Sequence, residues 1–257
     1  MSAPLLSARQ LSVRIGALRV VADLDLTVAA GERLAILGRN GAGKTTLLHT
    51  LAGLRPPSAG RIELEGTPME ALDGRQTAQL RGLLAQQQQD AFPSTVLETA
   101  LVGRHPHLTR WDWEGARDER IAREALAAVG LEGINDRDIR TLSGGERQRL
   151  AIATLLAQQP RLALLDEPLA HLDLNHQVAV LELFARQAAV GGMGIVMVLH
   201  DVNLARRYAD RALLLFGDGR SEAGPVERIL TAEMLSALYG HPLREIRDGS
   251  GGHFVPV

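Results

Sequence analysis

The sequence contains no cysteine. That excludes disulfide scaffolds, thiolate zinc sites, iron–sulfur clusters and cysteine nucleophiles, and it fits a reducing compartment. It has no excess of basic charge, with a net charge of −2, so no global electrostatic footprint for nucleic acid is present. It has no long apolar run. The longest uncharged, mostly apolar stretch lies near Gly191–Leu199, far short of the ~20 residues of a spanning helix. The start, Met1 to Arg9, lacks the basic region and apolar stretch of a secretory signal. A cytoplasmic protein is expected, and any work at a membrane would need another chain to hold it there. Lysine is nearly missing too. Of 28 Lys and Arg residues, the one lysine is Lys44. A chain that otherwise uses Arg for positive charge needs a compact ammonium at that position.

What is present is an ordinary globular balance. Apolar residues at 46% and charged residues at 23% over 257 positions exclude wholesale disorder and allow one large domain or two small ones. The first third reads as strands, with alternation over 11–15 and 20–28 and an apolar run at 33–37. A helix is predicted over 45–52, then a strand over 61–65. From about Thr95 to Gln158 the pattern is mostly helical, over 96–102, 121–129 and 144–158. The last third alternates strand (162–165, 195–199, 212–216) with helix (177–188, 202–208), and helical turns follow around 226–230 and 232–239. Such alternation implies a mostly parallel sheet covered on both faces, with ligands at the carboxyl ends of its strands. Gly249 to Gly252 reads as a flexible loop.

Gly38-Arg39-Asn40-Gly41-Ala42-Gly43-Lys44-Thr45 fits G-x-x-x-x-G-K-[ST], with Thr46 next, between a buried strand and a helix. Glycines let backbone N–H groups surround phosphate oxygens, and the helix start adds its positive end. Lys44 is placed to reach the β- and γ-phosphates as a point charge, and the Thr45 hydroxyl to bind Mg²⁺. A second acidic element, Asp166-Glu167, follows the apolar run 162–165. Strand alternation sends the two carboxylates in different directions. Asp166 suits Mg²⁺ through its water shell. Glu167 suits the general base or the orientation of the attacking water. His200 follows the strand 195–199 and so falls on the same sheet edge.

Leu142-Ser143-Gly144-Gly145-Glu146 opens an amphipathic helix, a second anion-binding terminus that a lone phosphate loop does not explain. With it the sequence resembles the nucleotide-binding subunit of an ABC transporter over nearly its whole length. The phosphate loop, a glutamine loop near Gln86, the LSGGE signature 142–146, the acidic strand end 162–167, a D-loop Ala170-His171-Leu172-Asp173 and a switch histidine, His200, occur in order.

The resemblance implies an α/β P-loop NTPase fold: a mostly parallel core sheet, an N-terminal antiparallel β subdomain and an inserted helical subdomain. The expected division is 1–86 and 157–257 for the core and β subdomain and 87–156 for the helical part. It implies that ATP and Mg²⁺ are bound and that two copies pair head to tail. Each ATP would then lie between one copy's phosphate loop and Ser143, Gly144 and Gly145 of the other. Asp173 would communicate across the interface. Gln86 would sense Mg²⁺ and the attacking water; it is chosen from the run Gln86–Gln89 by its spacing to Phe92-Pro93. Family members often stack an aromatic residue on adenine. The matching stretch here is Arg14-Ile15-Gly16, so apolar contact with Ile15 and loose base selectivity are expected.

The stretch 92–98, then Gly103 to His107, with 223–226 and 238–242 near the end, is similar to the cassettes of metal-chelate importers for ferric siderophores, haem or cobalamin. That likeness implies a subunit at the cytoplasmic face of the cell membrane, partnered by permease subunits and indirectly by a periplasmic or extracellular binding protein, with no built-in substrate sensor. His105 and His107 invite a metal-site reading, but Pro106 breaks the geometry and no nearby carboxylate is expected to complete a set. Trp111 and Trp113 are expected to pack within the helical insertion. The alternative function is an ABC-type ATPase acting on a ribosome or DNA complex. One cassette, no sustained heptads and no basic patch stand against it. A generic P-loop kinase or switch protein would leave the signature without a role.

Overall fold

The computed structural model describes residues 3–86, 93–109, 112–248 and 251–257. The glutamines after Gln86, Phe92, Trp111 and the Gly249-Ser250 pair of the expected loop lie outside the described residues. The chain runs β1 (Leu6–Ile15), β2 (Leu18–Val28), β3 (Arg33–Gly38), α1 (Lys44–Leu51), β4 (Ala59–Leu64), β5 (Thr67–Pro68), α2 (Gly74–Leu80) and β6 (Arg81–Leu84). It continues through α3 (Val96–Leu101), α4 (Ala116–Ala128), α5 (Gly144–Gln158), β7 (Leu162–Leu165), α6 (Leu174–Gly191), β8 (Gly194–Val198), α7 (Val202–Tyr208) and β9 (Arg211–Leu215). Last come β10 (Ser221–Pro225), α8 (Val226–Ile229), α9 (Ala232–Tyr239), β11 (Leu243–Asp248) and β12 (Gly251–Pro256).

The central sheet has the order β10-β9-β3-β8-β7-β6. All neighbours pair in parallel except the edge strand β10, which is antiparallel to β9. Strand alternation divides its side chains between two cores. Leu34, Ile36, Leu162, Leu164, Val196 and Val198 face the antiparallel sheet β2-β1-β4-β5 and α1. Ala35, Leu37, Ala163, Leu165, Ile195 and Met197 face the helices. Burial on both faces explains why these strands read as continuous apolar runs. Leu164 is fully buried in the first of these cores. Leu164→Ala is therefore expected to cost about 2–5 kcal/mol of stability, read as a lower urea midpoint with unchanged slope.

Between β6 and β7 the chain is mostly helical, as its pattern predicts. α3 and α5 start with reciprocal caps, Thr95 with Glu98 and Ser143 with Glu146. The helix expected over 96–102 ends at Leu101, and Val102–His107 is a 3-10 helix containing Pro106. One expectation fails here. Trp113 is 89% exposed and does not pack inside the insertion. His105 does have a carboxylate beside it, with Nε2 3.3 Å from Glu114 Oε1. No group of three or more metal-ligating side chains occurs among the described residues, and His107 Nε2 instead bonds the Gln158 carbonyl at 2.7 Å. At the other end, Gly251 and Gly252 belong to a strand. β11 and β12 form an antiparallel hairpin whose buried anchor is Phe254. No helix among the described residues is long and apolar enough to cross a membrane.

Candidate active site

The phosphate loop leaves the sheet at Gly38, where a side chain would collide with the Leu215 carbonyl of neighbouring β9. It enters α1 through Gly43, at φ +91°, where a Cβ would strike Val20. Gly38 thus allows close backbone approach, and Gly43 supplies the left-handed conformation together with room against Val20. The N-cap Gly43 offers no side chain to the first N–H groups of α1. Those donors therefore stay available to an anion at the mouth of the loop.

Lys44 is 6% exposed. Its Nζ donates to the carbonyls of Gly38 at 2.9 Å and Arg39 at 3.1 Å. Burial pulls its pKa below the ordinary lysine value, and the carboxylates of Glu167 and Asp166 partly oppose that shift. The ammonium thus rests on backbone oxygens that a phosphate can replace.

Just past the end of β7 the two acids diverge. Asp166 points inward and is fully buried; its Oδ1 accepts from Thr45 Oγ1 at 3.1 Å. Burial raises its pKa, and the nearby Glu167 charge adds to that rise while the Thr45 hydroxyl opposes it. Its Oδ2 is buried without a hydrogen-bond partner. A buried, unpaired carboxylate oxygen beside a threonine hydroxyl is a donor set for a hard divalent cation. Glu167 adopts a left-handed backbone, φ +50°, that turns its side chain out of the strand line. Its Oε1 lies 2.8 Å from His200 Nε2. Left-handed backbone at a non-glycine residue is strained and clusters at functional sites.

Lys44, Thr45, Glu167 and His200 share one open cleft of about 460 Å³ with Asn40, Gly41, Gly43, Thr46, Gln86 and Ile15, and the buried Asp166 reaches it through its bond with Thr45. Arg39 is exposed on the same loop, and its carbonyl also accepts from Ala42 N–H at 3.2 Å, closing the turn. Ile15 brings an apolar side chain to the wall where the base is expected. Gln86 follows β6, a strand absent from the sequence reading, and this places it at the same sheet edge.

The signature residues stand apart from this cleft. Ser143 is exposed and caps α5, its Oγ accepting from Glu146 N–H at 3.2 Å while Glu146 Oε2 accepts from Ser143 N–H at 2.8 Å. That backbone bond is the first cause holding the Glu146 pKa low. Gly144 is exposed and packs close to His171. A Cβ on Gly145 would press on the His171 carbonyl at 3.2 Å. Asp173 caps α6 by accepting from His176 N–H at 2.9 Å, which lowers its pKa, and its carboxylate is otherwise exposed. One residue the sequence did not single out joins the two regions. Gln148, buried on α5, donates to the Pro168 carbonyl at 3.0 Å, next to Glu167. Helical spacing gives a polar residue at an inward position no functional mark, so no local signal could have found it.

The ABC transporter family profile matches residues 21–170. The hemin import ATP-binding protein HmuV of Gloeobacter violaceus is 42% identical over 92% of this chain and 87% of that protein. The protein of the same name from Myxococcus xanthus is 41% identical over 97% and 96%. Among solved structures, an inward-facing putative metal-chelate type ABC transporter superposes with TM-score 0.86 at 32% identity, covering 100% of this chain and 98% of that one. A dimeric post-hydrolysis ATP-binding cassette bound to ADP and Pi gives 0.72 at 27% identity, covering 84% and 97%. With the cleft, the signature and these relatives together, the chain belongs to the ABC transporter family and is its ATP-binding, ATP-hydrolysing cassette.

Proposed function

We propose that this chain powers uptake of a metal chelate, with haem as the first candidate over ferric siderophore and cobalamin, through partner permease subunits. The observation that carries the hydrolytic part is the meeting of Lys44, Thr45, Glu167 and His200 in one cleft at the sheet edge, with the buried Asp166 bonded to Thr45 behind it. The cargo part rests on the hemin-import relatives and the metal-chelate neighbour, together with the matching stretch around Gly103 to His107.

In this reading the N–H groups of Gly41, Ala42 and Gly43 and the start of α1 bind the phosphates. Arg39, Asn40 and Thr46 complete the loop, and Lys44 exchanges its two carbonyl acceptors for phosphate oxygens. Thr45, Asp166 and Gln86 would hold Mg²⁺, which when bound supplies neutralisation of phosphate charge. Glu167 accepts the proton of the attacking water as that water's oxygen bonds to the γ-phosphorus and the bond to ADP breaks. His200 holds the Glu167 carboxylate and meets the γ-phosphate. Ser143 and Gly144 are exposed, Gly145 is half-buried beside them, and all three lie away from the cleft, which suits contact with ATP held by a second copy. Asp173 sits on the same exposed side at the start of α6. The helical subdomain is assigned to 87–156 and the core with its β subdomain to 1–86 and 157–257. The cassette is held at the cytoplasmic face of the membrane by the permease, and the binding protein acts through that permease. Ile15 gives the base an apolar wall without ring stacking.

Cells carrying the intact gene or its Glu167→Gln form would be offered labelled haem, ferric siderophore and cobalamin separately. Haem uptake is expected to fall to background in the variant cells. Unchanged uptake of all three removes the chelate assignment and leaves the ATPase chemistry standing.

A further inference from the structure

His200 is half exposed, so few packing contacts fix its ring. Its place against Glu167 must come from the backbone that carries it. That backbone enters α7 directly. Asp201 caps the helix, its Oδ1 accepting from Asn203 N–H at 2.7 Å and Leu204 N–H at 3.2 Å. The first turn of α7 and His200 therefore move together.

The C-terminal hairpin grips the same turn. The side-chain amide of Asn203 pairs reciprocally with the backbone of Phe254 on β12. Nδ2 donates to its carbonyl at 3.2 Å, and Oδ1 accepts its N–H at 2.8 Å. Three residues further, on the same helix face, Arg206 Nη1 donates to Glu245 Oε1 of β11 at 2.7 Å. Its guanidinium also lies over the Phe254 ring, 5.1 Å from the centroid. Gly252 makes room for this pair, because a Cβ there would collide with Glu245 Oε1 and Arg206 Nη1. Phe254 itself is buried in the same core as Ala205 and Tyr208 of α7. Two sets of charged or amide contacts and a buried ring, all on one turn, are more than a surface hairpin needs to stay folded.

We propose that the hairpin β11–β12 is a clamp on α7 that sets His200 against Glu167, with Asn203 and Arg206 as positioning residues for ATP hydrolysis. The inference rests on the reading of Glu167 and His200 given above. A displacement of about 1 Å at a reacting group can lower turnover by as much as about 100-fold, so a loosened clamp is expected to act on kcat. The nucleotide-binding loop lies on other strands, so KM for ATP should stay put.

The test is a double-mutant cycle on the full chain, with steady-state ATPase and nucleotide binding measured for each protein. Asn203→Leu keeps the volume and removes both bonds to Phe254. It is expected to lower kcat about tenfold with KM and ATP affinity unchanged. In the His200→Ala background the same change should have no further effect, because there is no ring left to position. Arg206→Glu should lose kcat similarly, whereas Arg206→Lys, which keeps a cation against Glu245, should retain most of it. Thermal unfolding separates loss of fold from loss of position. Equal losses in both backgrounds, or no loss from Asn203→Leu while His200→Ala is impaired, overturn the clamp alone. Full activity of His200→Ala overturns the reading of His200, and the clamp with it.

Discussion

Glu167→Gln is expected to lower ATP turnover by about 100- to 10,000-fold while ATP still binds. The amide has nearly the shape of the carboxylate but cannot take a proton from water. Its carbonyl end can still accept a hydrogen bond from His200 Nε2, so the 2.8 Å contact need not break. The phosphate loop is untouched, because Lys44 hydrogen-bonds backbone carbonyls and not Glu167. Binding without hydrolysis should therefore accumulate the ATP-loaded form. In the head-to-tail arrangement that form is a closed dimer, so size measurement with MgATP should give twice the mass of the nucleotide-free variant. A variant that binds ATP and stays monomeric counts against the sandwich. A variant that turns over ATP at the native rate removes Glu167 as the base. Glu167→Ala is a weaker test, since it also frees His200.

The parts of this site that were legible in the sequence are those where chemistry fixes both residue type and spacing. Gly38, Gly43, Lys44 and Thr45 could be placed because a phosphate cradle tolerates few alternatives there. Asp166 and Glu167 could be placed because four apolar residues before them mark a buried strand. What escaped was set by packing at a distance. α2 carries a D-x-x-Q start, and the Asp73–Gln76 cap is present, but its short polar run shows no apolar stripe. β6 is four residues long and follows α2 without a break, so its alternation was too brief to see. Its residues Arg81 to Leu84 pair with Leu162 to Leu165, and only that pairing brings Gln86 to the site. The C-terminal hairpin was hidden by composition. A Gly-Ser-Gly-Gly run favours a loop on local grounds, yet Gly252 is in a strand paired with Arg247, and it is glycine because Arg206 and Glu245 occupy the space a side chain would take. Trp113 shows the opposite error. A large ring predicts burial, but no described element covers this one, and it stays 89% exposed.

Lys44→Ala is expected to remove nucleotide affinity and to lower ATP hydrolysis by at least about 100-fold, the scale of losing one charged stabiliser at a transferring phosphoryl group. Lys44→Arg should do nearly as badly, although this chain uses arginine for every other fixed positive charge. The site explains why. Nζ fits between the carbonyls of Gly38 and Arg39, and the side chain is almost wholly buried. A planar fork has more donors than those two carbonyls can satisfy and needs more room than the ammonium. The same singularity gives a direct assay of contact. An amine-directed reagent can modify only Lys44 and the N-terminus, and no thiol competes for it. Labelling of Lys44 is then a single-site measurement, with the N-terminus as internal control. At nucleotide about 100 times its Kd, only about 1% of the protein is free, so MgATP should slow the Lys44 reaction by up to about 100-fold. The N-terminal rate should not change. An unaltered Lys44 rate at saturating MgATP would mean that the ammonium stays on its backbone carbonyls when nucleotide binds, and its phosphate role would fall.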